Sequence, residues 1–293
     1  MKGQYVILFT GVVVAATSST LIRMSDADPL VIATYRMGFA SIVMCTLALK
    51  AGLAQKVARY SRRDKELLLL SGFFLALHFA SWISSLSYTS VAVSVIIVDS
   101  SPFFVLVLSY IFLGEWLSRH GGAGMVMLLI GGILIVQNEI SKDVSLIGAS
   151  LALLGSVTLA CYLVIGRRMR RDMDTLSYVS LVYFVSFLFL FSFSLVSGRS
   201  FLGYGGREYL IFFLLAIGPS CVGHTLYNYS LRHFKASQVS ASILAEPICA
   251  IVLAALILEE MPSPIVVLGG FFIIFGLALI LGILEKEAAI IKP

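Results

Sequence analysis

Four ionisable side chains stand well inside apolar runs of this sequence, Arg36, His78, Asp99 and His224, and Glu246 makes a fifth. A charge at the middle of a membrane helix costs about 2.5–3.5 kcal/mol, so each needs a partner or a wet cavity. The two carboxyls, Asp99 and Glu246, are the groups that could bind an amine or exchange a proton. Structural readings compete with this one. Asp99 could neutralise Arg36 as an ion pair, because buried charges are normally paired. Glu246 could bond to backbone freed by Pro247, since proline removes a donor and opens the helix ladder. Arg36 could bind a substrate carboxylate, or snorkel to the nearer headgroups.

Polar residues recur around these charges at helical spacing. His78, Ser81, Trp82 and Ser85 fall at i, i+3, i+4 and i+7, and so do Cys221, His224, Thr225 and Asn228, with Tyr227 beside them. Gln238, Ser242 and Glu246 form a third stripe at i, i+4 and i+8. Trp82 and Tyr227 are expected to be aromatic walls for a substrate; an interfacial belt is the alternative for Trp82. The histidines have no supporting triad and too few companions for a metal, so hydrogen bonding or proton linkage is their expected role. Cys45, Cys161, Cys221 and Cys249 all lie in apolar runs without metal-ligand spacing and read as packing residues.

The elements that must position these groups are membrane spans. The chain is 59% hydrophobic and 13% charged, against roughly 45–50% and about 25% in soluble domains. Ten apolar segments suit a bilayer: 4–22, 30–49, 67–86, 91–113, 121–137, 146–166, 176–197, 209–231, 237–258 and 264–284. Helices are the expected form, because lipid offers no hydrogen-bond partner to open backbone. The first run is too long for a signal-peptide core and reads as a retained span. Of the 21 Lys and Arg, only Arg23, Lys142, Arg199 and Arg207 fall on the side away from the N-terminus, and Arg36 is inside a span. The rest share the side of the N-terminus, which places both termini in the cytoplasm by the positive-inside rule. The formal charge of +5 therefore reflects basic membrane loops and not a nucleic-acid surface.

The chain also repeats itself. Gly3, Arg23, Met24, Pro102, Glu115, Ser118 and Gly124 recur 145 residues later as Gly148, Arg168, Met169, Pro247, Glu260, Ser263 and Gly269. Each copy holds five spans, an odd number, so two copies in one chain must face opposite ways. The expected domains are residues 3–138 and 146–284, an all-α membrane fold of two inverted five-helix repeats. Such repeats place a substrate near the midplane where the halves meet. Glu115 and Glu260 close their spans and read as solvated or interfacial fold markers. The glycines of spans five and ten read as helix packing.

Two stretches carry a resemblance. Residues 88–117 (Y-T-S-V-A-V-S-V, then S-P-F-F, then L-G-E-W-L) and 233–261 (H-F-K-A-S-Q-V-S, then E-P-I-C, then L-E-E-M), with Tyr35-Arg36 in span two, resemble the EamA-like branch of the drug/metabolite transporter superfamily. The resemblance implies a permease whose cavity is lined chiefly by spans three, four, eight and nine, helped by one and six. Span two is not among these, so Arg36 is expected to be structural. Asp99 has no acidic equivalent, since Leu244 stands at its repeat position.

The expected protein is thus a plasma-membrane secondary transporter and not an enzyme, with a small-molecule substrate, the bilayer and a coupling proton as its partners. No cofactor is expected, and no P-loop points to ATP. The expected cargo is an amino acid or related metabolite, moved outward. The expected binding residues are His78, Trp82, Asp99, His224, Tyr227, Asn228, Gln238, Ser242 and Glu246, with Arg36–Asp99 as the structural pair. A nucleotide-sugar or other anionic solute exchanger, which would want more basic residues inside the spans, and a non-transporting membrane protein are the alternatives.

Overall fold

A computed structural model of the chain describes residues 2–89, 91–137, 145–249 and 263–282. Glu260, Lys142 and the end of the ninth expected span lie outside the described residues. The helices are α1 (Lys2–Ala15), α2 (Thr17–Arg23), α3 (Pro29–Lys50), α4 (Leu53–Arg59), α5 (Arg62–Ser85), α6 (Val91–Asp99) and α7 (Ser101–Leu113). Then follow α8 (Arg119–Gln137), α9 (Leu146–Met169), α10 (Thr175–Val196) and α11 (Gly206–Leu215). A π-helical stretch (Ala216–His224) joins α11 to α12 (Thr225–Ser230), and α13 (Ala236–Ile243) and α14 (Pro264–Ile280) follow. Among the described residues seven helical stretches are long and apolar enough to cross a membrane, and Arg119–Leu134 and Val267–Ile280 are shorter apolar helices.

Local sequence sets the helix ends. Asp28 caps α3 by accepting from Leu30 N, with Pro29 in the first turn. Ser61 and Asp64 form a capping box at the start of α5. Ser145 and Asp174 cap α9 and α10. Gly114 ends α7 with φ 64°, a left-handed conformation that glycine adopts without a Cβ penalty.

Packing follows a pattern. Among the broad helix contacts are α8 with α14, α5 with α9, α3 with α10, α5 with α10, and the π-helical stretch with α1 and with α3. A shift of 145 residues exchanges α3 with α10 and α8 with α14, turns the α5–α9 pair into the pair formed by the π-helical stretch and α1, and turns the α5–α10 pair into the pair formed by the π-helical stretch and α3. The set of pairs maps onto itself. The helices of the α3–α10 and α8–α14 pairs run antiparallel. Thr34 Oγ1 meets Ser194 Oγ at 2.9 Å, and Cys45 Sγ donates to Ser180 O at the other end of the same pair. In α8 and α14, a Cβ on Gly124 would stand 2.5 Å from Gly276 O, and one on Gly131 would stand 2.6 Å from Gly269 O. These glycines let two backbones touch, as packing between helices in lipid favours. Gly122, Gly132 and Gly270 have nothing within 4 Å of a built Cβ and take no part in that crossing.

Candidate functional site

Two broken helices build the centre. The fourth span stops at Asp99, turns at Ser100 and restarts at Ser101, with Pro102 in the new first turn. Helix α13 stops at Ile243, and the chain turns through Leu244 and Ala245 and resumes as helix at Glu246 just before Pro247. The breaks fall at repeat-equivalent positions. Proline is tolerated here because it sits where a helix begins and its missing N–H costs least. Both carboxyls therefore project from helix breaks.

Around them lies a cavity of about 30 Å³ lined by Ser18, Arg36, His78, Trp82, Asp99, His224, Tyr227 and Glu246, with Ala15, Val98, Leu159 and Ile243 as apolar wall. That is room for a water molecule or so and not for a metabolite, so the helices must part to admit one. Tyr227 donates its hydroxyl to Glu246 Oε1 at 2.8 Å. His78 donates Nδ1–H to Gly155 O at 2.9 Å, which fixes that tautomer and turns Nε2 outward from the bond. The His78 ring stacks on Trp82 at 5.8 Å and lies 6.4 Å from His224.

Arg36 is fully buried, and its partners are not the expected one. Its Nε donates to Ser220 Oγ and its Nη1 to Ser18 Oγ, both at 2.8 Å, and its guanidinium carbon lies 4.2 Å over the Phe79 ring. Ser220, in the π-helical stretch that contains Pro219, passes the bond on to Leu215 O, the last carbonyl of α11. Among the described residues no ion pair joins Arg36 to Asp99. Two hydroxyls and an aromatic face hold the guanidinium in their place, and burial leaves no path for snorkelling. Nη2 of Arg36, Oδ2 of Asp99, Nε1 of Trp82 and Nδ1 of His224 are buried with no hydrogen-bond partner among the described residues. Such groups are costly to leave dry, so they mark where a polar ligand or water would bind.

The cavity thus gathers His78, Trp82, Asp99, His224, Tyr227 and Glu246. Trp82 is buried against His78 and so is no interfacial belt residue. Among the described residues Glu246 takes its bond from a tyrosine and not from backbone beside Pro247. Three expected residues lie elsewhere. Asn228 donates to the Tyr162 hydroxyl and to His224 O, tying two helices together. Gln238 accepts from Lys235 N and donates to Ile280 O. Ser242 bonds back to Gln238 O within its helix. Sequence reasoning missed Ser18 and Ser220 as the holders of Arg36. The signal available was Pro219 inside an apolar run, which breaks the regular ladder there.

At the end of the molecule where α7 and α9 finish, Glu115 is far less exposed than expected, with 10% of its side chain accessible. It pairs with Arg167 Nε at 2.8 Å and Arg171 Nη2 at 3.0 Å. Arg167 also donates to Leu231 O at 2.6 Å, and Lys235 Nζ to Trp116 O at 2.7 Å. Spans four, six and eight are joined at this face.

Comparisons with known proteins agree with this architecture. An uncharacterized transporter of Archaeoglobus fulgidus is 26% identical over 88% of this chain and 89% of its own length. A pseudopaline exporter of Pseudomonas aeruginosa is 25% identical over 82% of this chain and 81% of its own. A crystal structure of a protein with 18% identity superposes with a TM-score of 0.79, covering 95% of this chain and 96% of that one, which speaks to the fold alone. Residues 2–137 and 146–282 each match the EamA-like transporter family. With a multi-span helical fold, a central cavity of buried charges and a family match over nearly its whole length, this chain belongs to the EamA-like transporter family and is a transporter, not an enzyme.

Proposed function

We propose that this protein exports a small metabolite bearing both a carboxylate and an amine, by alternating access. The observation that carries this is the convergence of Arg36, Asp99 and Glu246 on one buried cavity. The free Nη2 of Arg36 suits a carboxylate, and the two carboxyls suit an amine or a coupling proton. His78, Trp82, His224 and Tyr227 supply the aromatic wall; Asn228, Gln238 and Ser242 act by holding the helices that present it. Amino acids and their conjugates have this chemistry. The pseudopaline exporter among the relatives supports the outward direction.

The working architecture is ten spans in two inverted halves, residues 3–138 and 146–284, with both termini in the cytoplasm of a plasma-membrane protein. Antiparallel packing of shift-related helices and the self-mapping contact pattern support the inversion. The excess of Lys and Arg on one side supports the orientation. An anionic solute exchanger fits less well, because one guanidinium faces two carboxyls. The test is flux of labelled amino acids in proteoliposomes with and without a pH gradient. Flux of one class, accelerated by the gradient and lost in Glu246→Gln, is expected. Undiminished flux in both Glu246→Gln and Asp99→Asn would sink the reading.

A further inference from the structure

Two adjoining clefts on the outside of the molecule share Arg63, Leu67 and Arg168. One is apolar, about 350 Å³, and is walled by Leu70, Phe74, Leu108, Phe112 and Ile165. The other is polar, about 330 Å³, and contains Tyr60, Asp64, Arg171 and Asp172. Leu70 is 42% and Phe112 67% exposed, so the apolar cleft opens to the surrounding lipid. Arg63 lies in the first turn of α5 and Arg168 in the last turn of α9, where the helices leave the hydrocarbon. Both are exposed, and neither makes a hydrogen bond or ion pair among the described residues. Arg171, by contrast, is engaged with Glu115, and Asp64 caps α5.

We infer that these clefts bind one phospholipid with a primary-ammonium headgroup, phosphatidylethanolamine in kind. The order of the groups decides the ligand. A chain passing from the apolar cleft to the polar one meets Leu70 and Phe112 first, then the guanidiniums common to both clefts, then the carboxylates found only in the polar one. An acyl chain, a phosphate and an ammonium follow in the same order along that lipid. Two free guanidiniums are a good phosphate clamp. A headgroup with no cation would leave Asp172 facing only anionic or neutral oxygen. The site lies against α7 and α9, whose ends the Glu115–Arg167 pair joins, so its occupant touches helices that must move. It depends on the fold and on membrane embedding, not on what the cavity carries.

The test uses the purified full-length chain in detergent, where sidedness and transport do not enter. Thermal unfolding is followed while phosphatidylethanolamine, phosphatidylglycerol or phosphatidylcholine of the same acyl chains is added. Phosphatidylethanolamine is expected to raise Tm most. The double variant R63Q/R168Q is expected to lose that rise, and Asp172→Asn to make the ethanolamine and glycerol lipids equivalent. Glycerophosphoethanolamine, a headgroup without chains, is expected to do nothing. Equal shifts for all three lipids in the unaltered protein would overturn the proposal. So would a full ethanolamine shift in R63Q/R168Q or with the chainless headgroup. Since all three side chains lie at helix ends, Asp172→Asn alone decides the headgroup preference if the double variant does not fold.

Discussion

At the end of the molecule where α7 and α9 finish, Glu115 sits between Arg167 and Arg171, and its Oε1 is met by two opposite charges. At the centre, Arg36, Asp99 and Glu246 share a cavity, yet the guanidinium bonds to serines and one carboxyl to a tyrosine. The same residue types thus do two different things. A closed ion pair spends its charges on joining helices. A set of charges held by neutral partners keeps part of its bonding capacity for something that arrives later. The end of the bundle reads as a fastening, and the centre reads as a receptacle.

The largest test of that contrast is Glu115→Ala. It would leave two arginines facing each other at a mostly buried site, and a stability loss on the order of 3 kcal/mol is expected. Denaturant unfolding in detergent measures it, and a loss near zero would erase the contrast. Arg36→Met should show the opposite profile. Flux is expected to fall to background while stability stays within about 2 kcal/mol, because an apolar chain of similar size replaces a buried charge. An unfolded Arg36→Met protein would make the centre a fastening too.

Tyr227→Phe removes one bond to a carboxyl, expected to be worth about 1.5 kcal/mol. If Glu246 needs that bond only for position, flux should fall several-fold without vanishing, read as initial rates in proteoliposomes. The smallest effect lies at the surface. Burial pushes the Asp174 carboxyl up, but the Ser177 N–H and hydroxyl and the Lys56 ammonium outweigh it and hold it below its ordinary value of 3.8. A depressed carboxyl contributes stability that is complete above its unfolded value and fades as pH falls through its folded one. Asp174→Asn should therefore flatten the stability profile below about pH 4. The change should be under about 1 kcal/mol, since Lys56 and Asp174 are 41% and 44% exposed and water screens them.

Much of the centre was legible in the chain. His78 and Trp82 share a face at i and i+4 of a regular helix, and α5 delivers both to the cavity. The stripe of Gln238, Ser242 and Glu246 failed for a physical reason. It presumed an unbroken helix, but α13 ends at Ile243, and the turn before Glu246 rotates that residue away from the other two. Asn228 keeps its place one regular turn after His224, but its amide is spent on Tyr162 and on His224 O.

The sequence alone determined the membrane class, the duplication, the prolines that break two spans and the identity of the buried charges. Those properties follow from local hydropathy, from self-similarity and from proline's missing donor, none of which needs a distant partner. Only the tertiary structure decided which charges pair. Arg36 meets Ser18 and Ser220 instead of Asp99, and Glu115 meets Arg167, because pairing depends on where helices far apart in the chain cross. A one-dimensional pattern fixes the face a residue presents only while its own helix stays regular, and it never fixes what lies opposite.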